Sequence, residues 1–435
     1  MTEGREASRL GQFSWALFDW ANQPFFTVVT TFIFAPYYAN VMIGDAVHGQ
    51  SAWAFTQSIS GILIALMSPF LGAMADAGGR RKPYVFFFQV LLGIGCALLW
   101  WAYPNRPDLA QPIGWAVILA TVGAEMSIVF NNAQLPNIVR PERMGWLSGF
   151  GWGLGYVGGL IALGIVLTAH FTLGDDPNYT LERLVGPASA VWLAVFVVPM
   201  FLFTPDQAPK RPALAAVSEG FAELRQSLRD LPNDRMLLTF LIANMIYMDG
   251  LISLFSFGGI YAASTFGWNT IQIGTFGLIL AVAGTFGAWL GGKLDDAIGP
   301  RRVIITSMIV LLLALIIILM VDRDSIVFVQ VAPPVPGGPL FGAAAERAYL
   351  VIGVFLGFAA GPLQAASRTL LIRLAPRDRI TQYFGLFALT GKVTSFVGPL
   401  LVATITTVMV SQKAGMVVLI AFFVIGLALL MRVKD

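Results

Sequence analysis

The sequence predicts an all-α integral membrane protein: twelve transmembrane helices forming two six-helix pseudo-repeats around a central cavity. Three observations carry that reading. Hydrophobic residues make up 57% of the 435-residue chain and charged ones 12%, where a soluble domain carries roughly 25% charged residues; mean hydropathy is +0.75. Twelve apolar segments are long enough to cross a hydrocarbon core of about 30 Å at about 1.5 Å per residue. One loop sequence also returns at a fixed distance in the second half.

The first six segments fall at 13–39, 53–75, 83–103, 113–139, 145–170 and 186–204, and the second six at 236–263, 270–292, 302–321, 346–374, 380–409 and 413–432. The chain therefore divides into an N-terminal half (1–204), a linker (205–235) and a C-terminal half (236–435). Met1 to Gly11 is short and polar, with neither an apolar h-region nor a small-residue cleavage site, so the first helix is expected to insert uncleaved. That helix holds Asp19, Asn22 and Gln23 just ahead of Pro24. A charge within a span costs on the order of 3 kcal/mol and marks a protein interior or watery cavity, so this helix is expected to line a solute path. In the fifth segment Gly151, Gly155 and Gly159 share one face, a pattern for close helix packing. The lone Cys96 excludes an internal disulfide and a cysteine metal cluster.

Basic residues orient the chain. With the N-terminus cytoplasmic, only Arg106, Arg183, Arg323, Arg347 and Lys413 fall in outside loops. Arg368 and Lys392 lie within helices, and every other Lys and Arg falls inside, which puts both termini in the cytoplasm. In the linker Leu214, Val217, Phe221, Leu224 and Leu228 recur at helical spacing among Glu219, Glu223, Arg225 and Arg229. They predict an amphipathic helix on the membrane surface or against the bundle.

The repeat is specific. Gly72, Asp76, Gly79 and Arg81 match Gly292, Asp296, Gly299 and Arg301 at an offset of 220. Gly145 and Val157-Gly158-Gly159-Leu160 match Gly385 and Val397-Gly398-Pro399-Leu400 at an offset of 240. The extra length falls in the proline-rich connection around Ala332 to Pro339. Parallel repeats of this kind are the architecture of transporters that rock about a central site.

The loop Gly72-x-x-x-Asp76-x-x-Gly79-Arg80-Arg81-Lys82 resembles that between helices 2 and 3 of the major facilitator superfamily. A narrower resemblance is carried by Trp15-x-x-Phe18-Asp19-Trp20-Ala21-Asn22, Asn131-Asn132-Ala133-Gln134-Leu135-Pro136, Gly155-Tyr156-Val157-Gly158-Gly159 and Asn244-x-x-Tyr247-x-Asp249-Gly250. Gln364-x-x-Ser367-Arg368 and Phe384-Gly385-Leu386-Phe387 with Lys392 extend it. These stretches resemble the "unknown major facilitator" family, related to the vacuolar amino-acid effluxers of fungal autophagy. The chain lacks the long extra loops typical of the fungal members. The resemblance implies that Asp76, Arg80 and Arg81 stabilise a cytoplasm-closed state. Gly72 and Gly79 let the helix ends approach, and Asp296, Gly299 and Arg301 form an echo in which Pro300 replaces an arginine. Plain topology is the alternative reading of these basic residues.

The superfamily resemblance also places helices 1, 4, 7 and 10 around the central cavity. Asp19, Glu125, Asp249 and Arg368 fall on those four helices, and Lys392 on helix 11. A carboxylate balanced between burial and a nearby cation can bind and release a proton during a cycle. Asp19, Glu125 or Asp249 is accordingly the expected proton carrier, and Arg368 with Lys392 the expected holder of a substrate carboxylate; internal struts are the competing reading. Asp249 and Glu125 are favoured for central chemistry, with Asp19 at the cytoplasmic mouth. Asn22, Asn131, Asn132, Asn244 and Gln364 add hydrogen-bonding capacity, and Tyr247 a wall.

These expectations converge on a secondary active transporter working by alternating access. Its expected activity is proton-linked efflux of amino acids or similar small zwitterions, as a monomer in a bacterial cytoplasmic membrane. An exporter of lipid or amphiphilic compounds is disfavoured by the five in-span charges, and a non-transporting sensor or scaffold by the short tails. No nucleotide-binding loop, metalloprotease motif or dinucleotide fingerprint occurs, so neither an enzyme, a cofactor, a metal nor a nucleic-acid partner is expected.

Overall fold

Apolar chain in lipid must satisfy its backbone internally, and helices do so. The computed structural model describes residues 6–434 except 175, 211–219, 221, 223, 228, 269 and 336–338. Among these residues twelve helices are long and apolar enough to cross a membrane. They are α1 (Arg9–Met42), α2 (His48–Gly78), α3 (Lys82–Trp101), α4 (Pro107–Asn132), α5 (Pro141–Leu173) and α6 (Thr180–Phe203), then α7 (Arg235–Phe266), α8 (Ile271–Ile298), α9 (Pro300–Leu319), α10 (Ala344–Leu374), α11 (Arg377–Met409) and α12 (Gln412–Leu430). Each predicted segment meets one of them. Side-chain caps fix several starts: Ser8 Oγ accepts from Gly11 N at 3.1 Å, and Asp234 Oδ1 from Leu237 N at 3.1 Å. Prolines lack the N–H a helix needs, and α1 widens into π turns over Phe25–Phe32, directly after Pro24.

Packing divides the chain into two units: residues 1–147, 154–229 and 375–392, and residues 148–153, 230–374 and 393–435. In the first unit α3 and α4 approach across glycine, since a Cβ at Gly95 would stand 2.6 Å from the Ala116 carbonyl oxygen. The glycine face of α5 meets α1 at Gly155 and Gly159: a Cβ at Gly159 would lie 2.9 Å from the Gln23 Cγ and one at Gly155 3.5 Å from the Asp19 carbonyl oxygen. Arg183 sits within α6 and is buried rather than displayed in an outer loop. Its guanidinium lies 4.6 Å from the Trp100 ring and 3.9 Å from that of Tyr103. Its Nε and Nη2 also donate to the Trp100 carbonyl at 3.0 and 2.8 Å.

In the second unit the buried Tyr349 ring contacts Tyr261, Phe266, Trp268 and Phe276. The chain between α9 and α10 adds a feature that the apolar pattern missed, a three-stranded antiparallel sheet of β1 (Val321–Asp322), β2 (Ser325–Ile326) and β3 (Val329–Gln330). Val321 pairs with Ile326 and Ser325 with Gln330. Lys413 Nζ grips both Asp322 oxygens at 3.0 Å, tying the sheet to the start of α12.

Of the predicted amphipathic linker helix, Leu214, Val217, Glu219, Phe221, Glu223 and Leu228 lie outside the described residues. Residues 220, 222, 224–227, 229 and 230 are helical, with Gly220 and Ser227 buried and Arg225 and Arg229 exposed.

Candidate functional site

The glycine-rich loop after α2 ends a helix sharply. Gly79 adopts φ +87°, which an L side chain rarely tolerates, and starts the turn into α3. That turn buries Asp76 and Arg81 together, each 2% exposed. Asp76 Oδ1 accepts from Arg81 Nη2 at 3.0 Å and from Thr381 Oγ1 at 2.6 Å, and its Oδ2 accepts from the backbone N–H of Gln382 at 2.8 Å. Arg81 Nε also donates to Thr381 Oγ1 at 2.7 Å. Both carboxylate oxygens and part of the guanidinium are therefore satisfied at the start of α11, as buried charges require. Gly72 makes room: a Cβ there would stand 2.6 Å from the Thr381 carbonyl. Arg80 is exposed and takes no part in this cluster. Thr381 and Gln382, the partners of Asp76, carry no motif of their own.

The echo in the second unit shifts by one residue. Asp295, not Asp296, is the buried carboxylate, and Asp296 is only half-buried. Asp295 accepts from the Thr369 hydroxyl, with Arg373 Nη2 at 3.8 Å. Gly299 repeats the positive φ at +89°. Arg301 does not turn to the acid, and its Nη2 donates instead to the Met431 carbonyl at 2.9 Å.

Of the in-span charges, Glu125 of α4 and Lys392 of α11 meet: Nζ stands 2.6 Å from Oε1, with 22% and 29% of the respective side chains exposed. Arg368 is buried in the second unit, where its Nε donates to Ser148 Oγ at 2.9 Å and its Nη2 to the Ser148 carbonyl at 2.7 Å. The Trp152 ring lies 6.0 Å from its guanidinium. The two predicted carboxylate holders thus sit in different packing units, each with its own partner. Asp249 of α7 is 2% exposed and hydrogen-bonded to the Thr394 side chain. Tyr247 OH and Ser367 Oγ are 2.7 Å apart in the same unit. Buried Asn244 and half-buried Gln364 flank this pair in sequence.

The first unit adds a buried polar chain. Gln89 Nε2 donates to Asn22 Oδ1 at 3.0 Å and to Ser127 Oγ at 2.8 Å, while Asn22 Nδ2 donates to the Phe18 carbonyl at 2.8 Å. Nothing in the sequence singles out Gln89 and Ser127, because single polar residues in α3 and α4 carry no spacing signal. Asn131 is fully buried, and its carbonyl accepts from Trp15 Nε1 at 2.9 Å. Its side-chain amide finds no hydrogen-bond partner among the described residues. Asn132 and Asp19 are half-buried, and a Cβ at Gly155 would lie 3.5 Å from the Asp19 Cβ. No group of three or more metal-ligating side chains occurs among the described residues.

The comparisons with known proteins agree with this architecture. The family described as vacuole effluxer Atg22 like matches residues 39–435. The chain is 24% identical over 435 residues to YxiO, an uncharacterized MFS-type transporter of Bacillus subtilis (strain 168), covering 97% of this chain and 94% of that one. Autophagy-related protein 22 of Cryptococcus neoformans is 25% identical over 296 residues, which is 66% of this chain and 50% of the fungal protein. The human organic anion transporter MFSD10 superposes with a TM-score of 0.69 at 14% identity, over 97% of this chain and 99% of that one. The proton:xylose symporter XylE does so at 0.68 with 11% identity, over 96% and 93%. At such identities the solved structures speak for the fold alone. The family match covers nearly the whole chain, so the protein is an integral membrane transporter rather than an enzyme, and it belongs to the family described as vacuole effluxer Atg22 like, within the major facilitator superfamily.

Proposed function

We propose that this protein is a secondary active exporter of amino acids or similar small zwitterions, working by alternating access and coupled to protons. The Glu125–Lys392 pair carries the proposal. Opposite charges 2.6 Å apart, each partly open to solvent within a span, are costly to keep there as a mere strut. A zwitterion replaces both halves of such a pair at once, its ammonium taking Glu125 and its carboxylate taking Lys392, so neither charge is left bare. Asp249, buried with a hydroxyl partner, is the proposed proton carrier. The Asp76–Arg81–Thr381 cluster is the proposed gate, holding the start of α11 to the end of α2 in the cytoplasm-closed state. The matching family is named for the vacuole, whereas the bacterial relative favours a bacterial cytoplasmic membrane for this chain; a monomer with both termini inside completes the proposal, the termini on the balance of loop charge.

Uptake of labelled amino acids into proteoliposomes, by counterflow and with an imposed pH gradient, tests this reading. Wild type exchanges at least one zwitterionic amino acid and responds to the gradient. Glu125→Gln and Lys392→Gln lose exchange, while Asp249→Asn keeps counterflow and loses the response to the gradient. Full gradient-driven transport by Asp249→Asn removes the coupling proposal; unchanged exchange by both pair variants removes the zwitterion site.

A further inference from the structure

The chain that follows α6 does more than connect the two halves. It is built into the Asp76 cluster at four residues, Asp206, Lys210, Gly220 and Ser227, all within the first packing unit. Asp206 Oδ1 accepts from the backbone N–H of Arg81 at 3.0 Å and Oδ2 from that of Lys82 at 3.1 Å. The N-cap of the helix beginning at Lys82 is Arg81, whose own side chain makes no cap bond, so Asp206 caps α3 from 125 residues away. Lys210 Nζ donates to the Asp76 carbonyl at 3.0 Å, and Lys210 N to the Gly78 carbonyl at 2.9 Å. A Cβ at Gly220 would stand 2.9 Å from Met74 N, so the linker helix lies directly on the last turns of α2. Ser227 Oγ donates to Gln382 Oε1 at 3.2 Å and accepts from Arg379 Nη1 at 3.1 Å. The linker thereby touches both sides of the contact that Asp76 makes: the α2–α3 turn through Asp206 and Lys210, and the start of α11 through Ser227.

We infer that Asp206, Lys210 and Ser227 are positioning residues of the gate, and that the linker is a strap whose seating sets how firmly the gate closes. The chemistry follows from the bonds. Arg81 reaches Asp76 and Thr381 only if its backbone is held where the turn into α3 puts it. Asp206 fixes that backbone with a charged acceptor at the N-terminus of α3, where a carboxylate also meets the favourable end of the helix dipole. Ser227 presents one hydroxyl to two groups of the α11 start, so unseating the linker helix breaks one bond of Gln382 and one of Arg379 together. This inference goes beyond the gate reading given above and rests on it.

Amide hydrogen exchange of the full-length protein in lipid nanodiscs, followed over residues 377–386, tests both layers. Asp76→Asn is the control for the gate and speeds exchange in this segment, because the Gln382 N–H loses its charged acceptor. Asp206→Ala leaves Asp76 and Arg81 intact, yet speeds exchange over both 377–386 and 80–85 by about five- to tenfold. Asp206→Asn retains one acceptor and falls between Asp206→Ala and wild type, a graded rescue that a general loss of folding does not produce. Ser227→Ala speeds 377–386 alone. Exchange over 240–254 stays at the wild-type rate in every variant that has folded, and Ser227→Ala serves where Asp206→Ala does not fold. If Asp76→Asn leaves 377–386 unchanged, the gate reading falls. If Asp76→Asn speeds it while Asp206→Ala and Ser227→Ala do not, the gate stands and the linker proposal is overturned.

Discussion

Replacing Lys392 by glutamine strips Glu125 of an ammonium now 2.6 Å away. Two unit charges about 4 Å apart attract by about 4 kcal/mol at an effective dielectric of ~20. With 29% and 22% of the side chains exposed, water screens part of this, and a coupling of about 2 kcal/mol is the working value. Each single variant, Lys392→Gln or Glu125→Gln, therefore loses about 2–3 kcal/mol of unfolding free energy, since each removes the charged partner of a charge within a span. The double variant is less destabilised than the two losses combined, by the coupling energy. Denaturant unfolding of the four proteins in one detergent closes the cycle. A second arm tests the function: a ligand present at 100 times its Kd stabilises the wild type by about 2.7 kcal/mol. The same ligand leaves both single variants unshifted. Losses that add to within about 0.5 kcal/mol would refute the coupling. An equal ligand-induced shift in all four proteins would refute the claim that substrate takes the place of the pair.

Three further outcomes follow from local geometry. Gly72→Ala drives a Cβ to 2.6 Å from the Thr381 carbonyl, so backbone must move; thermal unfolding should report a loss of about 1–3 kcal/mol, and an unchanged midpoint contradicts the close approach. Arg183→Lys keeps the charge but cannot make two bonds to the Trp100 carbonyl while also contacting the Trp100 and Tyr103 rings with a planar group. A loss of about 2 kcal/mol is expected, with Arg183→Lys closer to Arg183→Ala than to wild type. Outside the spans, the Thr180 side chain and the Asn178 and Thr180 amides hold the Asp176 carboxyl below its ordinary range. A depressed native value gives stability that is present above the unfolded value near 3.9 and is lost as pH falls through the native one. Amide exchange over 176–183, corrected for its intrinsic pH dependence, should rise below about pH 4 in the wild type and stay flat in Asp176→Asn.

Hydropathy is a local property, so the twelve spans could be read directly from composition, with only their ends adjusted by caps such as Ser8 and Asp234. The glycine face of α5 was equally legible, because a four-residue spacing says where a neighbour can approach, and α1 does approach there. Partnerships were another matter. Asp76 advertises itself through the glycines and arginines around it, but Thr381 and Gln382 lie some 300 residues on and look like any polar pair at a helix start. Gln89 joins Asn22 to Ser127 in the same unannounced way. The strands at Val321 to Gln330 are two residues each, too short for alternation to show. Arg183 was placed by counting loops, whereas two aromatic rings and a carbonyl fold it inward.

The two copies of the loop differ in sequence and in what their arginine does. Where the first copy reads Arg80-Arg81, the second reads Pro300-Arg301. Pro300 is the first residue of its helix, where the missing N–H costs nothing. Arg301 then caps the far end of α12 through the Met431 carbonyl instead of turning to the acid. The loop glycines still impose their turn; Arg373 stands 3.8 Å from Asp295 and is 38% exposed, where Arg81 meets Asp76 as a buried guanidinium at 3.0 Å. Burying a carboxylate is sustainable only with partners: Asp295 accepts from a hydroxyl and stands 3.8 Å from a partly exposed guanidinium, and Asp76 accepts from a buried arginine, a hydroxyl and a backbone N–H. The first copy is also the one strapped by Asp206, Lys210 and Ser227. An element that must open and reclose needs contacts strong enough to define one state and few enough to break together. On the proposed gate reading, the buried set at Asp76 meets that requirement, because its bonds to Arg81, Thr381 and Gln382 share one carboxylate and are lost together.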